Sequence, residues 1–471
     1  MFSTRSTKLI VSTIGTYKLR QIFTMADHQC PSTIAKPSSP GTPTTTKAPK
    51  PANPLENIPA ESITYFTPKQ TIPAGTAIVH PEKTTSIPKL FQPLQLRGLT
   101  LQNRIIVSPM CQYSAEDGHH TMWHQTHLGG IIQRGPGLTI VEATSVTPEG
   151  RITPQDSGLW KDSQIEPLRK IVEFAHSQGQ KIAIQLGHAG RKASTVAPWI
   201  NRKAVATEDV GGWPDSVISA SDIPFDAPHT CVPRCMTLDN IASFKESFSA
   251  SVKRALVAGF DAIEIHAAHG YLLHSTLSAA TNTLPLPYSG SLENRMRLLL
   301  ELATSTRAII PSTMPLLVRI PGTDWMPAES NCWEVNQAIA LSLALSRVGV
   351  DFLDVSTAAL MSEQKVISGP GYQVPYASAI KEALEKEGLG EQTKVGTVGM
   401  ITNGVQAEGI LSEGKADAVL VARSFLKSPG LVWEWAGELG MEVRMANQIG
   451  WGYGQRGDGG VKAGVAASAR G

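Results

Sequence analysis

Short apolar runs recur along most of the chain, separated by longer stretches in which apolar residues return every three or four positions. Eight of these runs are rich in Val and Ile without strict alternation, which is typical of parallel strands buried on both faces. They span residues 104–110, 138–143, 181–186, 262–267, 316–320, 352–356, 394–398 and 418–422. Eight strand–helix repeats predict an α/β fold, the (β/α)8 TIM barrel. A doubly wound sheet is the alternative, but the sequence lacks its usual Gly-rich first turn.

The stretches between the runs are amphipathic, as the outer helices of a barrel should be. Residues 166–178, 239–258 and 293–310 each place their apolar side chains on one face. One segment interrupts the alternation of strands and helices, because residues 187–238 after the third predicted strand are rich in Pro, Gly and Trp. We interpret this segment as a lid or β-excursion over the barrel mouth.

Changes in composition indicate the domain organisation. The predicted barrel spans residues 88–445, and a C-terminal tail follows at 446–471. Residues 31–87 are rich in Pro, Thr and Ser; each proline removes a backbone donor and few apolar side chains are left to bury, so we predict a disordered or extended linker. Residues 1–30 form a basic leader whose composition resembles a mitochondrial transit peptide. The alternative is an unused upstream extension with Met25 as the start.

Overall composition narrows the function classes. Charged residues make up 17% and hydrophobic residues 41%, which is enough for a large core. The formal net charge is +2, so no nucleic-acid partner is expected, and no apolar run is long enough to predict a membrane span. Five cysteines, few and odd in number, argue against a disulfide scaffold and for a reducing compartment. We therefore expect a cytoplasmic protein, with mitochondrial import as the alternative that the basic leader raises.

In a TIM barrel the functional groups lie at the carboxyl ends of the strands, and unusual polar residues cluster there in this sequence. They are Ser108 and Cys111 after the first predicted strand, Gln185 in the third, His266, His269 and Tyr271 at the fourth, Arg319 in the fifth and Arg423 after the eighth. The sequence therefore predicts one site at the barrel mouth.

Several of these residues have both a chemical and a structural interpretation. A buried Gln185 must use its donor and its acceptor, which either a flat heterocycle with adjacent N–H and C=O groups or the barrel backbone could satisfy. Arg319 in an apolar strand needs either a bound anion or a salt bridge, for example to Glu264. Gly399 and Arg423 could bind phosphate, or they could form a turn and a surface charge.

The two histidines leave three interpretations open. His266 and His269 could bind a metal, donate hydrogen bonds to an oxyanion beside Tyr271 as a proton donor, or be structural. A metal is disfavoured because the sequence has no HExxH-type partner. The His-x-Cys-x-x-x-Cys stretch at 229–235 lacks a fourth ligand and matches no common metal spacing. We therefore expect no metal.

Six segments, taken in order, resemble the old yellow enzyme family of FMN-dependent ene-reductases. They are Asn-Arg-Ile-x-x-Ser-Pro-Met-Cys-x-Tyr at 103–113, Val-Glu-Ala-Thr at 141–144, Gln-Leu-x-His-Ala-Gly-Arg-Lys at 185–192, Glu-Ile-His-Ala-Ala-His-Gly-Tyr at 264–271, Gly-Ser-Leu-Glu-Asn-Arg at 290–295 and Ala-Arg at 422–423. Cys111, Tyr113 and a late Gln-Arg-Gly at 455–457 make the chain most similar to the thermophilic-like bacterial subgroup.

The resemblance implies FMN as the cofactor and NADPH or NADH as the reductant. The positions implied to contact FMN are Ser108, Pro109, Met110, Cys111, Ala143, Gln185, Arg319, Gly399, Ala422 and Arg423. The positions implied to contact the substrate are Tyr113, Lys192, His266, His269 and Arg456.

The implied reaction is the reduction of an activated C=C bond in an α,β-unsaturated carbonyl or nitro compound. His266 and His269 would bond the substrate oxygen, flavin N5 would give hydride to the β-carbon, and Tyr271 would give a proton to the α-carbon. In the subgroup a C-terminal arginine, here Arg456, reaches into the neighbouring subunit's site. The resemblance therefore implies a homodimer or a dimer-built oligomer.

One stretch of the sequence departs from the family pattern. The family usually has Arg-Thr-Asp-Glu-Tyr-Gly-Gly after the fourth strand, whereas residues 284–290 here read Leu-Pro-Leu-Pro-Tyr-Ser-Gly, so we expect altered loop packing.

Two other functions remain as alternatives. A metal- or phosphate-binding barrel lyase would use the histidines and the phosphate site, but it leaves Gln185 with Arg319 unexplained. A flavin-binding barrel enzyme recruited to a specialised biosynthetic step is the other alternative.

Overall fold

Eight parallel strands close into a barrel, which confirms the predicted (β/α)8 architecture. The computed structural model describes residues 56–80, 86–357 and 359–455. In chain order the strands are β1 (Leu94–Leu96), β2 (Leu99–Leu101), β3 (Ile105–Val107), β4 (Leu138–Ser145), β5 (Ile182–Gly187), β6 (Ile218–Ser219), β7 (Arg234–Cys235), β8 (Ala262–His266), β9 (Leu316–Pro321), β10 (Phe352–Ser356), β11 (Lys394–Thr397) and β12 (Ala418–Val421). Strands β3, β4, β5, β8, β9, β10, β11 and β12 follow one another around the barrel, and β12 pairs with β3.

Helices follow the barrel strands, and three of them match the predicted amphipathic stretches to within one residue at each end. They are α1 (Met122–Ile132), α2 (Ile165–Ser177), α3 (Leu238–Ala258), α4 (Leu272–Leu277), α5 (Leu292–Ile309), α6 (Val335–Arg347), α7 (Val374–Lys386), α8 (Gly404–Ser412), α9 (Arg423–Lys427), α10 (Leu431–Glu438) and α11 (Asn447–Gly450). Helix α2 buries Leu168, Val172 and Ala175, one turn apart on its inner face. Helix α3 begins after Thr237, whose Oγ1 accepts a hydrogen bond from the Asn240 N–H.

The barrel interior has an apolar lower layer and a polar upper layer. In five strands a buried apolar side chain is followed two residues later by a polar one on the same face, because side chains alternate along a strand. The pairs are Ile140 and Glu142 in β4, Ala183 and Gln185 in β5, Ala262 and Glu264 in β8, Leu317 and Arg319 in β9, and Phe352 and Asp354 in β10. The apolar members pack with Leu94, Leu96 and Leu101 of the β1–β2 hairpin. The hairpin therefore fills the amino end of the barrel, and the polar groups face the carboxyl end.

The long segment after β5 forms single 3-10 turns and the short parallel pair β6–β7, as a lid or β-excursion would. The fully buried Arg191 anchors it, since its guanidinium donates to the carbonyl oxygens of Ile223 (3.3 Å) and Leu360 (2.5 Å). Arg191 therefore joins this segment to the loop after β10.

The loop that departs from the family pattern is held by contacts of its own. Leu284 is buried, and the Asn282 Nδ2 donates to the Tyr288 carbonyl at 2.8 Å. The Tyr288 hydroxyl donates to Glu301 Oε2 at 3.1 Å, and Lys245 Nζ pairs with the same carboxylate at 2.8 Å. A phenol and one Lys–Glu pair between α3 and α5 therefore fix this loop.

Residues 57–80 follow an extended path against the outside of the barrel. Ala77 forms an antiparallel bridge with Val443, and the Asn103 Nδ2 donates to the Gly75 carbonyl at 3.1 Å. At Gly75, where φ is +77°, an added Cβ would lie 1.9 Å from the carbonyl oxygen of a neighbouring glycine. Only glycine fits this close approach.

The predicted leader at 1–30 lies outside the described residues, as do much of the predicted linker at 31–87 and most of the predicted tail at 446–471. Among the helices that the structure describes, none combines the length and the apolar character needed to cross a bilayer.

Candidate functional site

Strand register brings the polar side chains of the upper layer together. Gln185 is level with Glu264 in the β5–β8 pair. Arg319 is level with His266 on one side and with Asp354 on the other. The residues singled out in three different predicted strands therefore meet at one end of the barrel.

Arg319 is buried and pairs with Asp354. Its Nε donates to Asp354 Oδ2 at 2.5 Å, and its Nη2 contacts the same oxygen and donates to Ser108 Oγ at 2.7 Å. The salt bridge to Glu264, considered from the sequence, is therefore replaced by one to the strand on the other side. Arg319 Nη1 makes no hydrogen bond to a described residue, so it stays available as a donor.

Gln185 bonds to a side chain rather than to the backbone. Its Nε2 donates to Glu264 Oε1 at 2.5 Å, while its Oε1 accepts no hydrogen bond from the described residues. Glu264 is fully buried, and its Oε2 has no partner within the described part of the chain. Burial raises the pKa of Glu264 to about 8; the Asp354 carboxylate adds to the rise, and Arg319 opposes it.

The end of β8 and the turn after it bring His266, His269 and Tyr271 together, with the His266 ring in T-shaped contact with the other two. The His266 ring centroid lies 5.2 Å from that of His269 and 5.0 Å from that of Tyr271. Burial, with nearby cations, lowers the pKa of both histidines well below the usual range, so both are neutral at pH 7. Burial also raises the pKa of Tyr271 well above that of a free phenol, so its hydroxyl keeps the proton.

Lys192 connects this turn to the loop after β10. Its Nζ donates to the His269 carbonyl at 2.8 Å and to the Ala359 carbonyl. The same atom lies 4.0 Å from the Phe225 ring centroid and 5.6 Å from that of Tyr271. Burial lowers the pKa of Lys192 to about 7. This amine therefore lies beside the phenol at the barrel mouth.

The segment after β3 forms another wall of the mouth. Burial raises the pKa of the Cys111 thiol, so it stays protonated. The next backbone amide, of Gln112, donates to the buried Glu142 Oε1 at 3.1 Å. The Tyr113 ring meets Trp199 of the long segment edge-on, with centroids 5.6 Å apart. A buried carboxylate from β4 thus fixes the backbone that carries Cys111.

A cavity of about 240 Å³ lies at the carboxyl ends of β11 and β12, lined in part by Gly399, Ala422 and Arg423. Gly399 has φ of +120°, and a Cβ there would lie 2.8 Å from Gln373 Nε2. Arg423 is exposed and has no ion-pair partner among the residues that the structure describes. The cavity therefore offers a cation and open backbone to an anionic group.

The structure arranges the predicted site residues around one mouth. They are Ser108, Pro109, Met110 and Cys111 after β3, Ala143 in β4, Gln185 in β5, His266, His269 and Tyr271 at β8, Arg319 in β9, Gly399 after β11, and Ala422 and Arg423 after β12, with Tyr113 and Lys192 beside them. Arg456 lies outside the described residues.

Sequence reasoning missed several buried polar groups. Glu142 and Asp354 each stand two residues after a buried apolar residue in a predicted strand, and that spacing could have identified them as interior. His188 has no such signal. Its Nδ1 accepts from the Gly190 N–H at 3.0 Å, and its buried Nε2 lacks a partner within the described chain.

One group of three ligand-type side chains exists among the described residues, formed by His120, His124 and Glu142 with ligand atoms within 4.8 Å. The two imidazole rings stack at 4.0 Å with 11° between their planes. Nitrogen lone pairs lie in the ring plane, so nearly parallel stacked rings cannot direct both lone pairs at one tetrahedral ion. We assign no metal to this group.

Asp156 gives a pH-dependent prediction. Burial raises the pKa of its carboxyl to about 7, although Thr153 Oγ1 and the Ile152 amide donate to it. Between about pH 4 and 7 the folded chain holds a proton that the unfolded chain has lost. The contribution of Asp156 to the free energy of unfolding therefore falls by up to ~1.4 kcal/mol for each unit that the pH rises. Asp156→Asn should remove this fall. Urea denaturation of both proteins across pH measures it, and identical pH dependence would contradict the prediction.

The part of the chain that forms the barrel is also the part that resembles known proteins. The model of the NADH:flavin oxidoreductase / NADH oxidase family matches residues 89–440. A protein named NADH:flavin oxidoreductase from Gibberella zeae is 48% identical over 417 residues, which cover 87% of this chain and 98% of that protein. An NADPH dehydrogenase from Halalkalibacterium halodurans is 39% identical over 362 residues, covering 76% and 97%. The solved structure of morphinone reductase is 25% identical with a TM-score of 0.62, covering 77% of this chain and 92% of that one.

Proposed function

This chain belongs to the NADH:flavin oxidoreductase / NADH oxidase family, the old yellow enzyme family, and from that premise we propose that it reduces activated C=C bonds in α,β-unsaturated carbonyl or nitro compounds. As a member of the family it is an oxidoreductase that uses FMN and a nicotinamide reductant. The observation that carries the proposal is the packing of Tyr271 against His266 at the mouth, with ring centroids 5.0 Å apart, where burial raises the pKa of the phenol.

The unpartnered groups at the mouth fit FMN. Gln185 Oε1 accepts, Arg319 Nη1 donates, and neither has a partner among the described residues, so together they complement the N–H and C=O groups on the pyrimidine edge of a flavin. Gly399 and Arg423 suit the phosphate. We assign FMN contacts to Ser108, Pro109, Met110, Cys111, Ala143, Gln185, Arg319, Gly399, Ala422 and Arg423. When bound, FMN supplies hydride transfer.

His266 and His269 would bind the substrate oxygen and draw electron density from the alkene. The His266 Nδ1 accepts from the Ala268 N–H at 3.4 Å, which favours the tautomer with its proton on Nε2. His269 Nε2 lies 2.8 Å from Ser356 Oγ, whose hydroxyl donates to Gln373 Oε1 at 3.3 Å. If Ser356 turns its proton to His269 instead, the His269 proton is on Nδ1, and each neutral ring then has one N–H for the carbonyl or nitro oxygen.

Tyr271 would hold the proton that the α-carbon receives. Its raised pKa keeps the phenol protonated until the alkene becomes basic on hydride arrival. Lys192, bonded to the His269 carbonyl, would fix the turn that carries Tyr271. Tyr113 and the predicted Arg456 of a neighbouring subunit would complete the substrate pocket in a dimer.

The proposal is tested by following the two half-reactions separately. Purified protein loaded with FMN is reduced anaerobically with NADPH or NADH and mixed with cyclohexenone, maleimide or a nitroalkene in a stopped-flow instrument. The expected result is flavin reoxidation with formation of the saturated product. Reduction by the nicotinamide without reoxidation by any of these alkenes would overturn the ene-reductase assignment, while a protein that fails to retain FMN would overturn the cofactor assignment.

Gly399 supplies a prediction about cofactor affinity. An alanine Cβ would lie 2.8 Å from Gln373 Nε2 and 3.0 Å from Tyr372 Cε1, and φ of +120° is unfavourable for alanine. Gly399→Ala should therefore weaken FMN binding by ~10-fold or more, about 1.4 kcal/mol. Gly414→Ala is the matched control, since φ there is +75° and an added Cβ meets nothing within 4 Å. Fluorescence titration with FMN compares the two, and equal affinities would contradict the assignment of the phosphate site.

A further inference from the structure

The upper layer of the barrel contains more buried acid than buried base. Glu264 and Asp354 are fully buried and Arg319 is 4% exposed, with only Arg319 to balance both carboxyl groups. Arg319 gives its hydrogen bonds to Asp354 and Ser108, not to Glu264. Glu264 receives one hydrogen bond, from the neutral Gln185 amide. A second buried carboxylate without its own cation is costly, so this carboxyl is poised to bind a proton.

The same cluster faces the groups that we assign to FMN. Gln185 donates to Glu264 through Nε2 and offers Oε1 to the cofactor, and Arg319 pairs with Asp354 through Nε and offers Nη1. A negative charge gained by the cofactor would draw on the Arg319 cation. The positive charge of Arg319 would then stabilise the carboxylates of Glu264 and Asp354 less.

We propose, on the basis of the function above, that Glu264 is the proton acceptor of the buried layer and binds one proton when FMN gains a negative charge on reduction. The nicotinamide gives FMN a hydride, that is, two electrons and one proton, and leaves oxidised. The Glu264 carboxylate binds a second proton, taken from solvent, and becomes a carboxylic acid. When the hydride passes to the alkene, FMN loses the charge and Glu264 returns its proton to solvent.

The charged and ionisable groups around Glu264 set the pH at which this occurs. Burial and the Asp354 carboxylate raise the pKa of Glu264 to about 8. While FMN is oxidised, the carboxyl is therefore ionised above about pH 8 and protonated below it. A negative charge above Arg319 raises the pKa further, so proton uptake is expected in a window above about pH 8. Among the ionisable groups on the surrounding strands, Arg319 of β9 and Asp354 of β10 act on the Glu264 carboxyl, and His266 of β8 lies level with Arg319. Glu142 of β4 accepts from the Gln112 amide and lies 3.7 Å from His124, β3 and β12 contain no ionisable residue, and Lys394 of β11 pairs with Glu391.

The test measures the reduction potential of the FMN-loaded protein against pH by spectroelectrochemistry. For a two-electron reduction each proton taken up adds ~30 mV per pH unit to the slope. The reduction potential of the wild type should fall by ~30 mV per pH unit below about pH 8 and by ~60 mV per pH unit above it. Glu264→Gln keeps an acceptor for the Gln185 amide but cannot bind a proton, so its slope should stay at ~30 mV per unit throughout. Asp261→Asn is the control with wild-type slopes, because its carboxyl lies just before β8 at the opposite end, where it accepts from the Ile182 amide.

A second readout keeps the proposal testable if Glu264→Gln binds FMN poorly. Reduced-minus-oxidised infrared spectra of wild type above about pH 8 should gain a carboxylic acid carbonyl band. A single slope of ~30 mV per unit, or no such band, would overturn the proposal even if alkenes are reduced. Loss of alkene reduction with both signals present would overturn the proposed function alone.

Discussion

We expect Tyr271→Phe to slow the reaction with the alkene by about 10²–10⁴-fold, while reduction of the bound FMN by NADPH or NADH keeps its rate. The substitution removes the phenol hydroxyl and leaves the ring that packs 5.0 Å from His266. Only the half-reaction that needs a proton at carbon should therefore respond. Single-turnover stopped-flow measurements give the two rates separately.

Tyr376→Phe is the matched control for Tyr271→Phe. Tyr376 is a partly buried phenol whose ring packs against Trp325, with centroids 5.6 Å apart, so its loss should leave both half-reactions at wild-type rates. If Tyr271→Phe slowed both half-reactions equally, Tyr271 would be structural and another group would donate the proton.

We expect Arg319→Met to destabilise the fold by about 3–5 kcal/mol and to abolish tight FMN binding. It leaves the fully buried Asp354 without its cation and Ser108 Oγ without a donor. Burial already raises the pKa of Asp354, and without Arg319 the carboxyl should stay protonated to higher pH still. The destabilisation should therefore shrink as pH falls. Urea denaturation across pH measures it.

The double variant Arg319→Met with Asp354→Leu separates stability from cofactor binding. Replacing a whole buried ion pair with apolar side chains is often close to neutral, so most of the lost stability should return. FMN affinity should not return, because the donor assigned to the flavin is still missing. Recovery of FMN binding in the double variant would show that Arg319 acts only through Asp354.

The barrel could be predicted closely from the sequence, because strands buried on both faces must be apolar along their whole length. The sixth predicted run coincides with β10, and each of the others differs from its barrel strand by one to three residues at one or both ends. The 187–238 segment was harder, since its 3-10 turns depend on single contacts such as those of Arg191 rather than on a periodic pattern.

The sequence predicted that the polar side chains of the candidate site meet at one end of the barrel, but it did not predict which of them pair. Resemblance to a family identified the turn that carries Tyr271, but the partner of Arg319 depends on which neighbouring strand supplies the nearer carboxylate. Glu264 on β8 and Asp354 on β10 both flank β9, and only the register places Asp354 level with Arg319. Register is a property of the closed barrel, so local sequence could not choose between them.

The apolar lower layer with its β1–β2 hairpin gives the barrel one sealed end. Among the described residues, Glu264 and Tyr271 lie above this layer, so we expect solvent to reach them through the mouth, which the nicotinamide and the proposed alkene would also use. A bound ligand would then block exchange, and solvent deuterium should enter these groups mainly between one ligand leaving and the next arriving.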